Sequence, residues 1–183
     1  MSTAVATRMS ADEFLRLHGD ESHVELVRGE IQRYDMPGSK HGMIGQKFAR
    51  KIGNFIEDQK LGIDLNNDTF IRTGPDSLRG MDYCFISYNR WPKGSFVDDG
   101  PVPAVPEFIL EVLSPSNRPG EMLQKVDEYL ALGVDAVAVV DPHLEIVSVF
   151  RKDELPQRFH NGDTFELPDV LPGFSVPLKS FFE

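Results

Sequence analysis

The chain is poor in cysteine: Cys84 stands alone among 183 residues, which excludes a disulfide framework and a cysteine metal cluster. No apolar run is long enough to span a bilayer, and the opening MSTAVATRMSADEF lacks the apolar stretch of a signal peptide. A protein of the cytoplasm without a membrane role is expected, since a lone thiol suits a reducing compartment. Positive charge is scarce after Lys93. Up to that point acids and bases balance at thirteen each, and beyond it six bases face sixteen acids, so the whole net charge of −10 falls there. Such a balance excludes a protein that coats nucleic acid, yet leaves room for a locally basic face in the first half. The chain has no Gly-rich phosphate loop, no Ser-centred nucleophile elbow and no HExxH, nor any internal repeat or heptad pattern.

What is present suits one compact α/β domain. At 40% hydrophobic and 26% charged, the chain can bury a core without covalent staples. Residues 1–8 are expected to form a flexible N-terminus ahead of a single domain over 9–183. Ser10-x-x-Glu13 has the form of a capping box, with Phe14 and Leu17 following at helical spacing. HVELVRGEIQRY reads as a hairpin turning at Arg28-Gly29. Ile44, Phe48, Ile52, Phe55 and Ile56 recur every three or four residues and predict a long helix. Strands are expected at 63–65, 70–72 and 81–87. The Gly- and Pro-rich stretch 88–106, with Trp91, reads as a lid or a variable insertion. FILEVL then forms a buried strand, 119–132 a helix with Met122, Leu123, Val126, Tyr129 and Leu130 inward, and AVAVVDP a strand parallel to the first. A mixed sheet flanked by helices follows, with an N-terminal helix and hairpin.

One residue in this pattern is out of place. Glu111 interrupts Phe-Ile-Leu-Glu-Val-Leu, and a buried carboxylate without a partner is costly enough to protonate. Asp82 intrudes in the same way on MDYCFIS. Two readings satisfy both acids. A hard divalent cation held by Asp82, Glu111 and a backbone carbonyl would neutralise the pair, and all-oxygen ligation suits Mg²⁺ or Mn²⁺. Alternatively, each acid is salt-bridged to an Arg or Lys, or lies where water reaches the strand end. Lys125, on the helix after the Glu111 strand, either aims its ammonium over that strand or lies along the surface with its head in water.

Taken together, Asp82, PEFILEVLSPSNR, Lys125-x-x-x-Tyr129 and LGVDAVAVVDP resemble the Uma2 family, also described as DUF820, of the PD-(D/E)XK restriction-endonuclease-like superfamily. HVELVRGEI, PGSKHGMIGQKFARKI and VLPGFSVPLKSFF extend the likeness over nearly the whole chain. The resemblance implies a restriction-endonuclease-like fold and a Mg²⁺- or Mn²⁺-dependent endonuclease, with nucleic acid as partner and DNA favoured. It implies Asp82 and Glu111 as catalytic metal ligands, the Val112 carbonyl as a third ligand, and Lys125 as the catalytic lysine. In the parent motif that lysine follows the glutamate by two residues, where this chain has Leu113. Glu25, His41 and Tyr129 match accessory positions.

This chain also departs from the pattern. Met81 replaces the proline before the first acid, Arg118-Pro119-Gly120-Glu121 stands where an Asp is common, and Ala136-Val137-Ala138 replaces Glu-Tyr-Trp. A catalytically silent regulatory module and a hydrolase of smaller phosphate-containing substrates therefore stand beside the endonuclease. Lys47, Arg50, Lys51 and Arg79 are the candidate contacts to nucleic acid, with Lys40, Arg72, Arg90 and Lys93 behind them. The apolar end, Leu171 to Phe174 and Phe181-Phe182, either docks on its own core or serves a homodimer.

Overall fold

The computed structural model describes residues 8–115 and 117–183, leaving out the side chains of Asn67 and Asp68. Of the expected flexible end, only Arg8 lies within the described residues. Ser10 caps α1 (Ala11–His18), its hydroxyl accepting from the Glu13 amide at 3.2 Å, and the helix buries Phe14 while Leu17 stays exposed. Strands β1 (Val24–Val27) and β2 (Glu30–Arg33) form the hairpin. Arg28 and Gly29 take φ of 51° and 80° in its turn, as the twist of a two-residue loop demands.

Helix α2 (Ser39–Gln59) buries Ile44, Phe48, Ile52 and Ile56 on one stripe, while Phe55 remains half-buried. The two short strands expected at 63–65 and 70–72 are one, β3 (Gly62–Gly74), continuous across a bulge after Asn66 and paired along β4 (Ser77–Ser87). Asn66, Asn67 and Asp68 are polar, and that interruption is what hid the continuity from a pattern of hydrophobic residues. Strand β5 (Phe108–Val112) is buried on both faces. Helix α3 (Pro119–Leu132) leads to β6 (Ala136–Asp141), which pairs with β5 in parallel. Gly133 closes α3 with φ 107°, a conformation other residues adopt only with strain. Leu123, expected inward, is 51% exposed, because Met122, Val126 and Tyr129 already fill the buried stripe.

β7 (Ile146–Phe150) and β8 (Gln157–Phe159) extend the sheet, whose order is β2-β1-β4-β5-β6-β7-β8 with β3 paired on β4. β9 (Thr164–Leu167) and β10 (Leu171–Pro177) form a separate ribbon before a short 3₁₀ turn, Leu178–Phe181. One core lies between α2, the sheet and this ribbon, where Phe48 stacks on Phe181 at 3.8 Å between centroids. A second core gathers Trp91, Val126 and Tyr129 beneath α3. The apolar end of the chain thus packs on its own domain. The 88–106 stretch is tied down by Trp91 and by Arg90, whose guanidinium meets both Asp135 oxygens at 2.9 and 2.7 Å.

The arrangement of partners along β4 makes the functional site possible. β3 occupies one edge of β4 over its whole length, so β1, paired at Leu78, and β5, paired at Tyr83 to Phe85, must share the other. Between them the sheet forks, and Arg79 to Asp82 find no strand partner on that edge among the described residues.

Removing the stacked ring of Phe48 leaves a cavity among Phe165 and Phe181. Phe48→Ala is expected to lower stability by about 3–5 kcal/mol with an unchanged denaturant slope, as measured by urea unfolding.

Candidate active site

Side chains complete the hydrogen bonding that the fork leaves open. The Gly80 amide donates to Glu25 Oε1 at 3.1 Å, and the Gly80 carbonyl accepts from the Tyr129 hydroxyl at 2.9 Å. Asp82 Oδ2 accepts from the Val112 amide at 2.7 Å, which ties the middle of β4 to the end of β5. The pairing of Tyr83 with Leu110, carried one residue further, sets Asp82 beside Glu111. Both acids line a cleft of about 330 Å³, with Glu25, His41, Arg79 and Lys125 also on its walls.

Lys125 is the partner that Glu111 requires. Its ammonium lies 2.9 Å from Glu111 Oε2 and 3.0 Å from Glu25 Oε1, while the Tyr129 hydroxyl lies 2.9 Å from Glu111 Oε1, with one proton for both this oxygen and the Gly80 carbonyl. Helical geometry brings this about, since Lys125 and Tyr129 are one turn apart on α3 and project toward the same stretch of β5. Of the two placements open to Lys125, the buried one over Glu111 is the one found. His41, near the start of α2, sets Nε2 at 3.3 Å from Asp82 Oδ2. Asp82, Glu111, Lys125, Glu25, His41 and Tyr129 therefore converge, although their sequence separations reach a hundred residues.

Arg79 corrects an expectation. It was a candidate contact to nucleic acid, but it is 2% exposed. Its Nε and Nη2 donate to the two Glu128 oxygens at 2.7 and 3.0 Å, and its Nη1 donates to Glu25 Oε2 at 3.0 Å. A guanidinium so engaged has no free face for a phosphate. Of the other basic candidates, Arg50 is exposed, whereas Lys47 and Lys51 are half-buried and Lys51 stands over the Phe181 ring at 5.8 Å. The 88–106 stretch contributes no residue to the lining of the cleft. Glu128 and Tyr34, whose hydroxyl lies 3.1 Å from Glu25 Oε2 and 2.7 Å from Gln32 Oε1, were not anticipated. Nothing in their spacing pointed to them, because both act through contacts distant in sequence.

Electrostatics follow from burial and crowding. Burial pushes the Glu111 carboxyl up to about 7, with Asp82 and Glu25 adding to the shift and Lys125 opposing it. Burial would lower Lys125, but the carboxylates of Glu111, Glu25 and Asp82 outweigh it and raise its pKa, so the ammonium stays charged. Burial raises Asp82, yet His41 and Lys125 hold it below its ordinary value. The His41 imidazole is lowered by burial and raised further by Asp82, with the Val112 backbone also hydrogen-bonded to it. Glu25, Asp82, Glu111 and Glu128 thus face, among the described residues, two permanent cations, Arg79 and Lys125. Among the described residues no three His, Cys, Asp or Glu side chains form a ready metal cage. The surplus of negative charge and the purely oxygen donors of Asp82, Glu111 and the Val112 carbonyl nonetheless fit a hard divalent cation.

The mixed sheet flanked by helices is of the restriction-endonuclease-like fold class, and an aspartate, a glutamate and a lysine meet where its central strands fork. The chain matches the family Uma2, described as "Putative restriction endonuclease", over residues 11–179, and it belongs to that family. Among solved structures it is similar to "a putative nuclease belonging to DUF820" from Anabaena variabilis ATCC 29413. That likeness has a TM-score of 0.82 at 21% identity and covers 95% of this chain and 97% of the other, which establishes the shared fold. No curated protein matches the chain. No helix among the described residues is long and apolar enough to cross a membrane.

The raised Glu111 carboxyl gives a signed pH dependence. The folded protein holds a proton there that the unfolded chain releases near 4.5, so this contribution to stability is complete below 4.5 and is lost as pH rises through about 7. Urea unfolding of the metal-free protein should show wild type losing stability relative to Glu111→Gln across that interval. A pH-independent difference would contradict it.

Proposed function

We propose that this protein is a Mg²⁺- or Mn²⁺-dependent endonuclease that hydrolyses phosphodiester bonds of nucleic acid, DNA foremost. The observation that carries the reading is the meeting of Asp82, Glu111 and Lys125 on one cleft wall, with Lys125 Nζ at 2.9 Å from Glu111. Asp82, Glu111 and the Val112 carbonyl would hold the metal, which supplies Lewis acidity toward a phosphate and toward water. Water adds to phosphorus and gives up a proton, one P–O ester bond breaks, and the leaving oxygen takes up a proton. Lys125 enters this reaction charged, because its carboxylate neighbours raise its pKa, so its part is to neutralise the charge that grows on the phosphate oxygens rather than to remove a proton. Tyr129 and His41 keep the two acids oriented from opposite helices.

The cleft's own cations, Arg79 and Lys125, are both committed to carboxylates, and Asp20, Glu21, Asp35 and Glu121 also line it. Contacts to a polyanion would therefore come from outside the cleft, with Lys47, Arg50 and Lys51 of α2 as the candidate cations. The same acidic lining favours, as a second reading, a smaller phosphate-containing substrate. Nucleotides assayed beside single- and double-stranded DNA and RNA separate the two.

Asp82→Ala, Glu111→Ala and Lys125→Ala are each expected to reduce metal-dependent cleavage by about a hundredfold or more while the fold is retained. Full activity in all three would refute the assignment. Metal uptake requires the Glu111 carboxylate, so Mn²⁺ affinity measured by calorimetry should weaken as pH falls through about 7 and should be lost in Glu111→Ala.

A further inference from the structure

A lysine on the Glu111 strand would be aimed by the strand itself. Lys125 instead reaches the site from α3 on a flexible stem, and its aim must come from elsewhere. We propose that Glu25 is a positioning residue for Lys125, and that Arg79 and Glu128 brace it, so that a Glu128–Arg79–Glu25 chain running inward from the surface directs the ammonium to the place where the scissile phosphate sits. The inference rests on the nuclease reading above and deepens it.

Glu25 is 6% exposed, and both its oxygens are engaged. Oε1 accepts from Lys125 at 3.0 Å and from the Gly80 amide at 3.1 Å. Oε2 accepts from Arg79 at 3.0 Å and lies 3.1 Å from the Tyr34 hydroxyl, whose one proton also faces Gln32 Oε1 at 2.7 Å. A carboxylate offers about four acceptor sites; Lys125, Gly80 and Arg79 take three and the Tyr34 hydroxyl stands against the fourth, so a metal would have to displace one of these contacts. This separates Glu25 from Asp82 and Glu111, although all three are acids on one cleft wall.

The brace explains why an arginine is buried here. Its forked contact with Glu128 fixes the guanidinium plane as well as its position, a geometry that a lysine could not reproduce. Glu128 also accepts from Gln124 Nε2 at 2.8 Å, one turn earlier on α3, and from the Thr73 hydroxyl at 3.3 Å. Gln124 and Glu128 flank Lys125 on the helix, so the chain ties that turn of α3 to β1, β3 and β4. The position of the ammonium is then set by three strands rather than by its own stem.

Glu25→Gln tests this, because it keeps an acceptor for the Gly80 amide but cannot accept from both Lys125 and Arg79 as a carboxylate does. Three quantities are measured: Mn²⁺ affinity by calorimetry, kcat and KM for nucleic-acid cleavage, and the lysine ammonium signals by proton–nitrogen NMR. Expected are Mn²⁺ affinity and KM within about twofold of wild type, kcat lower by about tenfold to a hundredfold, and loss of a protected Lys125 signal seen in wild type. If Mn²⁺ affinity falls by about tenfold or more together with kcat, Glu25 is a metal ligand and the proposal is overturned. An unchanged kcat with an unchanged ammonium signal overturns it as well. Should Glu25→Gln fail to fold, Glu128→Gln carries the same test, since Glu128 is partly exposed and does not touch Lys125. If wild type cleaves no nucleic acid, the nuclease reading fails, and the ammonium signal still decides whether Glu25 holds Lys125.

Discussion

The structure is organised around the cost of burying one carboxylate. Glu111 sits 3% exposed in a strand whose other residues are all apolar, and an isolated charge there would be driven to its neutral form. Lys125 and Tyr129 relieve that cost from one side, and they do so together because they stand one turn apart on the same helix. But Lys125 is itself a buried charge, and Glu25 becomes its second partner. Arg79 then answers Glu25, and Glu128, at the protein surface, ends the series. Each charge placed inside calls for another, until the chain of pairs reaches water.

That series needs a gap in the sheet, and the fork on β4 provides it. A central strand paired fully on both edges would leave no room for side chains to reach its backbone. Here Glu25 and Tyr129 satisfy the Gly80 amide and carbonyl in place of a strand. The same opening admits Asp82 to the Val112 amide and exposes both acids to the cleft. Backbone completion and site construction are one arrangement, so a change that disturbs the fork acts on both.

Charge is distributed with a similar economy. The net −10 of the chain is concentrated beyond Lys93, and the cleft itself is acidic, with its two permanent cations already paired. A site of this sign repels a phosphate backbone unless a cation intervenes, which is the electrostatic reason a divalent ion belongs in the functional reading. It also separates the roles of the basic residues. Those at the site order acids, and only those outside it, such as Arg50, remain available to a polyanion.

How much of this was legible beforehand depended on the kind of signal. Periodicity located α2 and α3, the Arg28-Gly29 turn and the buried β5, because local sterics and amphipathic spacing act over a few residues. The misplaced acids at 82 and 111 announced a site, since a carboxylate among apolar neighbours needs a reason wherever it occurs. Sequence could not decide the company these acids keep. The bulge that makes β3 one strand, the burial of Arg79, and the approach of Glu25 to Lys125 all follow from which strand lies beside which. Spacing along the chain fixes the face a residue presents; strand order alone determines what lies opposite that face, because the residues involved are brought together across distances that no local pattern spans.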